Sequence, residues 1–190
     1  IQNGTIAGFE ALMRWFHPEK GMISPALFIP VAEDSGLIVE MSKWALAESC
    51  RAVKVLEKAL PAHAKGKLPL FISVNFSVRD FTDGTFPNNV LETIENEGVQ
   101  AANIRLEITE SLFMEEPEHA KESLEKCRQH GVQVSIDDFG TGYSSLSYLH
   151  YFPIDTLKID QSFIRSMLSN KGSFSLVKSI IALAKSLEMK

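Results

Sequence analysis

The sequence predicts an α/β fold in which helices cover a parallel sheet, either open and doubly wound or closed into a barrel. Strand-like and helix-like segments alternate from end to end, and the strands are mostly Ile, Val, Leu and Phe. No G-x-G-x-x-G follows the first strand, which favours the barrel over an open nucleotide-binding sheet. With 190 residues and 45% hydrophobic content, the chain can bury one core.

Hydrophobic periodicity and turn residues give the order of the elements. The predicted strands cover residues 5–15, 70–77, 104–111, 132–138 and 155–160. The predicted helices cover residues 24–36, 37–60, 88–98, 116–131, 144–153 and 173–189, with a loop at 61–69. Ser24 and Pro25 mark the start of the first helix, whereas Gly98 and Gly131 mark the ends of two others.

Composition and charge exclude several classes of protein. The net charge of −5 and the pI of about 5.6 come without a basic block, so duplex nucleic acid is not an expected partner. No apolar run approaches the roughly 18 residues of a membrane span, and no signal peptide is visible. Cys50 and Cys127 form no metal-spaced pair, so we expect reduced packing residues in a cytoplasmic protein.

Polar side chains recur near the carboxyl ends of the predicted strands. They share one face of each strand and lie opposite aliphatic neighbours; they are Glu10, Asn75, Glu107, Asp137 and Lys158. Side chains alternate along a strand with a period of two, so the spacing predicts that these polar side chains point to the same face of each strand. If the strands are parallel and form a barrel, the five groups converge on its C-terminal mouth, where barrel enzymes carry their chemistry.

The acids at this mouth predict a site for divalent cations. One acid at a strand end usually caps a loop or pairs with a cation, but several carboxylates in one mouth repel each other and are costly to desolvate. Carboxylate and amide oxygens suit Mg²⁺, Mn²⁺ or Ca²⁺. Asp137 and Asp138 could hold two ions with Asp137 bridging, which is the arrangement of two-metal phosphoester hydrolysis.

Other residues near the mouth leave the reaction open. Lys158 could place or deprotonate an attacking water, or form a salt bridge to a nearby acid, and these roles are compatible. Gly140 and Gly142 allow a tight, mobile loop over the site. Trp15 is the best prospect for stacking on a ligand, and the five histidines show no ligand spacing. The same residues also suit an unrelated barrel enzyme that uses a divalent ion for proton abstraction, as lyases do.

Several motifs closely resemble those of the EAL domain family, whose members are cyclic-di-GMP phosphodiesterases. They are GFEALMRW, FIPVAEDSGLI, VNFS, LEITES, DDFGTGYSSLSYL and PIDTLKIDQSF, in the family's order through essentially all 190 residues. The resemblance implies a modified TIM-type (βα)8 barrel. It also implies hydrolysis of cyclic-di-GMP to linear pGpG in bacterial second-messenger signalling, with two Mg²⁺ or Mn²⁺ ions as cofactors and Ca²⁺ as an inhibitory occupant.

The resemblance assigns roles to individual residues at the mouth. The matching metal ligands are Glu10, Asn75, Glu107 and Asp137 for one ion and Asp137 and Asp138 for the other. Lys158 matches the lysine near the nucleophilic water, so the implied catalytic groups are Lys158, Glu10 and Asp137.

Further residues match positions that contact the substrate or hold a loop. Leu12 matches a residue near the ligand, Arg14 a phosphate-contacting arginine, and Asp160 an aspartate close to guanine or the lysine. Glu110 matches the glutamate that anchors the loop after the Asp pair, here residues 139–146. In the family that loop lies at a dimer interface, so a homodimer is expected.

Residues 1–190 are expected to be an EAL-type domain that is truncated at both ends relative to the family. Family members begin with a strand that carries a YQP-like motif and continue with a strand ending in AEGVE, and neither occurs here. About five of eight strands are therefore expected, with open sheet edges that predict poor folding in isolation. A sensor or cyclase-like domain is expected elsewhere in the full-length protein, and the sequence leaves a membrane anchor outside this segment open.

The alternative is a catalytically inactive domain that binds cyclic-di-GMP as a sensor or effector. Such domains usually carry a damaged E-A-L, DD or loop motif, and no such damage is visible here.

Overall fold

The computed structural model describes residues 5–61, 69–115, 117–141 and 146–190. The strands are β1 (Gly8–Ala11), β2 (Trp15–His17), β3 (Gly21–Ile23), β4 (Phe71–Asn75), β5 (Ile104–Thr109), β6 (Gln133–Phe139) and β7 (Thr156–Ile159). The helices are α1 (Pro25–Ser35), α2 (Ile38–Ala59), α3 (Phe86–Asn96), α4 (Leu112–Glu115), α5 (Pro117–Gln129), α6 (Leu146–Tyr151), α7 (Gln161–Ser166) and α8 (Lys171–Ser186).

The centre of the fold is a five-stranded parallel sheet with the order β1-β4-β5-β6-β7. Strands that are neighbours along the chain, apart from the β2–β3 pair, are neighbours in the sheet, and helical segments connect them. This is the arrangement of a TIM-like half-barrel. The predicted α/β class, the parallel strands and the count of about five barrel strands are confirmed.

The two faces of the sheet differ in chemistry because the strand register keeps side chains of one kind together. Outward-facing Val74, Leu106 and Val134 are aligned across β4, β5 and β6 and are at most 1% exposed. Helices α2, α5 and α8 pack on β4, β6 and β7 and cover this apolar face. The opposite face carries the polar residues, with Asn75 aligned beside Glu107. Helix packing therefore determines which face is left for the site.

The prediction of a single strand at 5–15 is wrong. The chain leaves the sheet after Ala11, and Trp15 begins an antiparallel hairpin of β2 and β3 in which Trp15 pairs with Ile23. The hairpin turn is closed by His17, whose Nδ1 accepts backbone N–H groups of two turn residues at 3.1 and 3.3 Å. The residues between β1 and β2 are consequently a loop at the carboxyl edge of the sheet.

Most other predicted elements are present with ends shifted by one to three residues. Helix α3 begins at Phe86, two residues before its prediction, and Pro87 occupies its first turn. Helices α4 and α7 were not predicted, since each is short. Asp160 caps α7 by accepting the backbone N–H of Ser162 at 2.9 Å. The predicted loop at 61–69 and residues 144 and 145 of a predicted helix lie mainly outside the described residues.

Several further features follow from burial and hydrogen bonding. Cys50 and Cys127 are free and buried, and burial raises the pKa of Cys50 to about 11, as expected of packing thiols.

Lys190 pairs with the outer edge of β7, because its N–H donates to Asp155 O and its carbonyl accepts from Leu157 N, each at 3.0 Å. Within the described ranges, we find no helix with the length and apolar character needed to cross a membrane.

The burial of the apolar outer face leads us to expect that side chains on it contribute to the free energy of unfolding. Leu106 is 0% exposed in the central strand, so Leu106→Ala should lower the free energy of unfolding by about 2–5 kcal/mol. Leu168→Ala is the matched control because Leu168 is 94% exposed, and its effect should stay within about 0.5 kcal/mol. Urea denaturation of both variants measures the difference, and equal losses would contradict the assignment of this face as the core.

Candidate functional site

Lys158 lies among three carboxylates at the carboxyl ends of the strands. Its Nζ atom is 2.9 Å from Glu107 Oε2, 3.1 Å from Asp137 Oδ2 and 3.3 Å from Glu10 Oε2. Asn75 Nδ2 donates to Glu10 Oε1 at 3.2 Å. The structure therefore brings together all five strand-end residues that the sequence pattern placed at one mouth, each from a different strand of the sheet.

The surroundings of Lys158 keep it charged. Burial alone would lower the pKa of Lys158, but the hydrogen bond to Glu107 and the charges of Glu107 and Asp137 outweigh it and raise the pKa. Burial raises the pKa of Glu107, which is 2% exposed, whereas Lys158 and a hydrogen bond with Ser73 oppose that rise. Because the ammonium group stays protonated at neutral pH, this arrangement favours orienting a water or phosphate over deprotonating a water.

A β-bulge explains why two adjacent acids stand at the end of β6. Ile136 pairs with Leu157 and Phe139 pairs with Ile159, so Asp137 and Asp138 together oppose the single residue Lys158. Asp138 adopts a positive φ of 51° and its N–H donates to Asp137 Oδ1 at 3.0 Å. The bulge therefore separates the environments of the two carboxylates.

The side chain of Asp138 contacts that of Asp160. Burial raises the pKa of Asp138, and the charge of Asp137 and a hydrogen bond with Asp160 raise it further. The pKa of Asp160 is lowered, first by the side chain and then by the backbone N–H of Ser162. The contact between the two carboxyl groups therefore shifts their pKa values in opposite directions, raising that of Asp138 and lowering that of Asp160.

The donor set matches a hard divalent cation. Glu10, Glu107 and Asp137 each offer a carboxylate oxygen within 4.8 Å of the others. Oxygen ligands of this kind suit Mg²⁺ or Mn²⁺, and Asn75 adds an amide beside Glu10. Asp138 lies outside this cluster, next to Asp137. The ligand roles of these five residues stay predictions.

Glu110 holds the start of the loop that follows the Asp pair. Its Oε1 atom accepts the backbone N–H of Gly140 at 2.6 Å. Gly140 has a positive φ of 101°, and a Cβ there would lie 3.0 Å from the ring of Phe163, so a side chain at this position would be strained. The loop-anchoring role of Glu110 stays a prediction. Residues 142–145 of the loop, to which the predicted dimer contact also belongs, lie outside the described residues.

A cavity of about 780 Å³ extends from the mouth toward α1 and α2. Glu10, Leu12, Arg14 and Asn75 line it at the mouth. Leu12 is 56% exposed, and the Arg14 guanidinium donates to Met13 O at 2.8 Å. Leu12 and Arg14 are therefore accessible to a ligand, as their predicted contacts require. Trp15 does not line this cavity and packs edge-to-face on Phe28.

Two sets of polar residues near the site were not predicted from the sequence. Ser73 hydrogen-bonds Glu107, and its place on the polar face of FISVN was the signal for it. Ser77 and Asp80 form a capping box after β4, and the S-x-x-D spacing in SVRD could have revealed it.

Comparisons with known proteins show the family to which the sequence is similar. The EAL domain family profile matches residues 1–190. The bifunctional diguanylate cyclase/cyclic di-GMP phosphodiesterase MucR of Pseudomonas aeruginosa is 38% identical over 188 residues, which are 99% of this chain and 27% of that protein. The cyclic di-GMP phosphodiesterase NbdA of the same species is 36% identical over 190 residues, which are 100% of this chain and 24% of that protein. The chain therefore spans about a quarter of the length of these curated relatives.

A solved structure gives the same result for the fold. The PaMucR phosphodiesterase in complex with c-di-GMP aligns with a TM-score of 0.89 at 38% identity, over 99% of this chain and 74% of that one.

The ion cluster predicts that stability depends on Lys158 in a metal-sensitive way. Lys158→Met leaves three carboxylates without their cation and should lower the free energy of unfolding by roughly 2 kcal/mol in EDTA, less than for a fully buried pair. Millimolar Mn²⁺ should restore most of that loss, because a divalent ion neutralises the same carboxylates. Urea denaturation with and without Mn²⁺ measures both effects.

Lys126→Met is the control, since Lys126 is exposed and contacts Asn88 Oδ1 away from the cluster. It should change stability little and show no dependence on Mn²⁺. A loss in Lys158→Met that Mn²⁺ leaves unchanged would contradict charge compensation as the role of Lys158.

Proposed function

Because the chain belongs to the EAL domain family, we propose that it is the phosphodiesterase part of its protein and hydrolyses cyclic-di-GMP to linear pGpG with divalent cations. The observation that carries this proposal is the meeting of Glu10, Glu107 and Asp137 around Lys158 at the carboxyl ends of β1, β5, β6 and β7. Its relatives MucR and NbdA are named cyclic di-GMP phosphodiesterases, which supports the choice of substrate.

The residues that would hold the cations divide between two positions. Glu10, Asn75, Glu107 and Asp137 would hold one Mg²⁺ or Mn²⁺, and Asp137 and Asp138 would hold the second. The bound cations would acidify a water and neutralise charge on the scissile phosphate. Proximity of Asp138 to Asp137 supports the shared role of Asp137.

In the reaction, a water oxygen forms a bond to phosphorus while the P–O3′ bond breaks, and a proton passes to the departing 3′ oxygen. This is the bond that must break, because pGpG carries its phosphate on the 5′ side. Lys158, which stays protonated, would orient the water or a phosphate oxygen by donating a hydrogen bond. Arg14 would bind a phosphate from the rim of the cavity, and Leu12 would contact the base or sugar there.

The proposal predicts turnover that depends on Asp137. The full-length protein is incubated with cyclic-di-GMP and Mn²⁺ or Mg²⁺, and the nucleotides are separated by chromatography. Wild type should form pGpG, and Asp137→Asn should lose roughly 100-fold or more of the rate because a charged group at the reacting centre is gone. Asp155→Asn is the control, since Asp155 bonds Val134 N and Arg128 at the opposite end of the sheet.

The outcomes separate the enzyme from a sensor. Formation of pGpG by wild type and Asp155→Asn alone supports the phosphodiesterase. Cyclic-di-GMP recovered intact but bound to the wild-type protein contradicts hydrolysis and leaves a binding domain. If the wild-type protein neither binds nor hydrolyses cyclic-di-GMP, both the enzyme and the binding domain are contradicted.

Arg14 predicts a separate effect on substrate binding. Arg14→Met should raise KM for cyclic-di-GMP about 10-fold, the size expected for one charge-assisted hydrogen bond, with a smaller change in kcat. Arg51→Met is the matched control, because Arg51 is exposed on α2 and pairs with Glu97. A fall in kcat at constant KM would contradict a phosphate-binding role for Arg14.

A further inference from the structure

A buried carboxylate that the proposed reaction does not use lies directly behind the mouth. Asp80 is 5% exposed in the short 3-10 turn that follows β4. Its Oδ2 atom accepts two hydrogen bonds, from the backbone N–H of Ser77 at 2.8 Å and from the hydroxyl of Ser42 on α2 at 3.0 Å. Asp80 therefore joins the turn after β4 to α2.

The bonded turn begins two residues after Asn75. Phe76 N donates to Glu107 O at 2.8 Å, so the first residue after Asn75 is fixed to β5. Ser77, the second, is fixed through its N–H to Asp80 and through its hydroxyl to Glu33 Oε1 on α1 at 2.6 Å. Both residues that follow Asn75 are thus held, Phe76 by the sheet and Ser77 by the side chains of Asp80 and of Glu33 on α1.

Three residues around this turn also line the cavity of the candidate site. Glu33, Ser42 and Ser77 line the cavity that contains Glu10 and Asn75. Asn75 is the last residue of β4, and beyond the bond from Phe76 N to Glu107 O the chain is held by the contacts of Ser77. The Asn75 amide donates to Glu10 Oε1 at 3.2 Å, so a shift of the backbone that leaves the strand would move this donor relative to Glu10.

We propose that Asp80 is a positioning residue for Asn75: its hydrogen bonds to Ser77 and Ser42 fix the turn after β4 and so hold the Asn75 amide beside Glu10. The inference rests on the proposed function only in giving Asn75 the role of a metal ligand. The positional effect itself concerns protein atoms alone. Groups that orient metal ligands from behind commonly change metal affinity by about 10–100-fold when they are removed.

The energetics of Asp80 fit a positional role better than a contribution to stability. Burial raises the pKa of Asp80 to about 7, although the hydrogen bonds from Ser77 and Ser42 oppose the rise. The charge of Glu33 raises it further, and Lys43 lowers it. Because the folded state binds this proton more tightly than the unfolded chain, stability falls as pH rises toward 7. A buried carboxylate that is costly near neutral pH is present here with one hydrogen bond from Ser77 in the turn and one from Ser42 on α2.

Two substitutions at Asp80 separate hydrogen bonding from charge. Asp80→Asn keeps an oxygen that can accept both bonds, whereas Asp80→Ala leaves the Ser77 N–H and the Ser42 hydroxyl without this acceptor. Ser42→Ala removes one bond only and provides a milder variant if Asp80→Ala does not fold. Asp155→Ala is the matched control, since Asp155 also accepts a backbone N–H, that of Val134, but at the far end of the sheet.

The first readout is the ¹H–¹⁵N signal of the Asn75 side-chain amide in the full-length protein without metal, assigned by its loss in Asn75→Asp. Asp80→Ala and Ser42→Ala should shift or broaden this signal, and Asp80→Asn should leave it near the wild-type position. Asp155→Ala should lower thermal stability without moving it. An unmoved signal in folded Asp80→Ala would overturn the proposal, whether or not the protein hydrolyses cyclic-di-GMP.

The second readout is the affinity for Mn²⁺, titrated by electron paramagnetic resonance. Asp80→Ala should weaken binding about 10-fold or more, with Ser42→Ala intermediate and Asp80→Asn within about 3-fold of wild type. Equal Mn²⁺ affinity in all folded variants overturns the link from Asp80 to the metal site. Wild-type Mn²⁺ binding without formation of pGpG counts against the proposed function alone, because the positional effect is read from the amide signal.

Discussion

The ion cluster around Lys158 is the interaction on which the site depends. Parallel strands bring their carboxyl ends to one edge, and here three of those ends carry acids whose mutual repulsion would otherwise push the edge apart. Lys158 places one positive charge among them, which leaves the cluster net negative. The protein therefore holds the acids close together while the cluster keeps a net negative charge that a divalent cation can neutralise.

The bulge in β6 turns two chemically identical neighbours into different groups. Asp137 keeps the phase of the strand and faces Lys158, whereas Asp138, at positive φ, contacts Asp160. An aspartate tolerates this backbone region better than most side chains do. A regular strand would have sent the two carboxylates to opposite faces of the sheet, and only one could have served the mouth.

The convergence of the strand-end residues could be predicted from the sequence because a strand has a fixed period and parallel strands a common direction. The strand period and the common strand direction were enough to place the five residues, without knowledge of distant contacts. They are Glu10, Asn75, Glu107, Asp137 and Lys158. The β2–β3 hairpin was missed because apolar residues continue through Trp15, and periodicity alone does not show where the chain leaves a sheet. The hydrogen bond between Asp138 and Asp160 and the bonds of Asp80 to Ser77 and Ser42 depend on burial and on elements that are far apart along the chain. No local pattern contains that information, apart from the capping spacing of Ser77 and Asp80.

The contact between Glu10 and Lys158 joins residues 148 positions apart. Because β1 is at one edge of the sheet and β7 at the other, this pair can meet only after the three intervening strands are in register. Non-local parallel pairing is slow to form, because the chain loses loop-closure entropy before the strand contacts can stabilise it. During synthesis Glu10 leaves the ribosome long before Lys158 does, so the acids at the mouth spend that interval without their common partner. The Glu10–Lys158 contact therefore reports on the register of the whole five-stranded sheet and not on any one pair of strands.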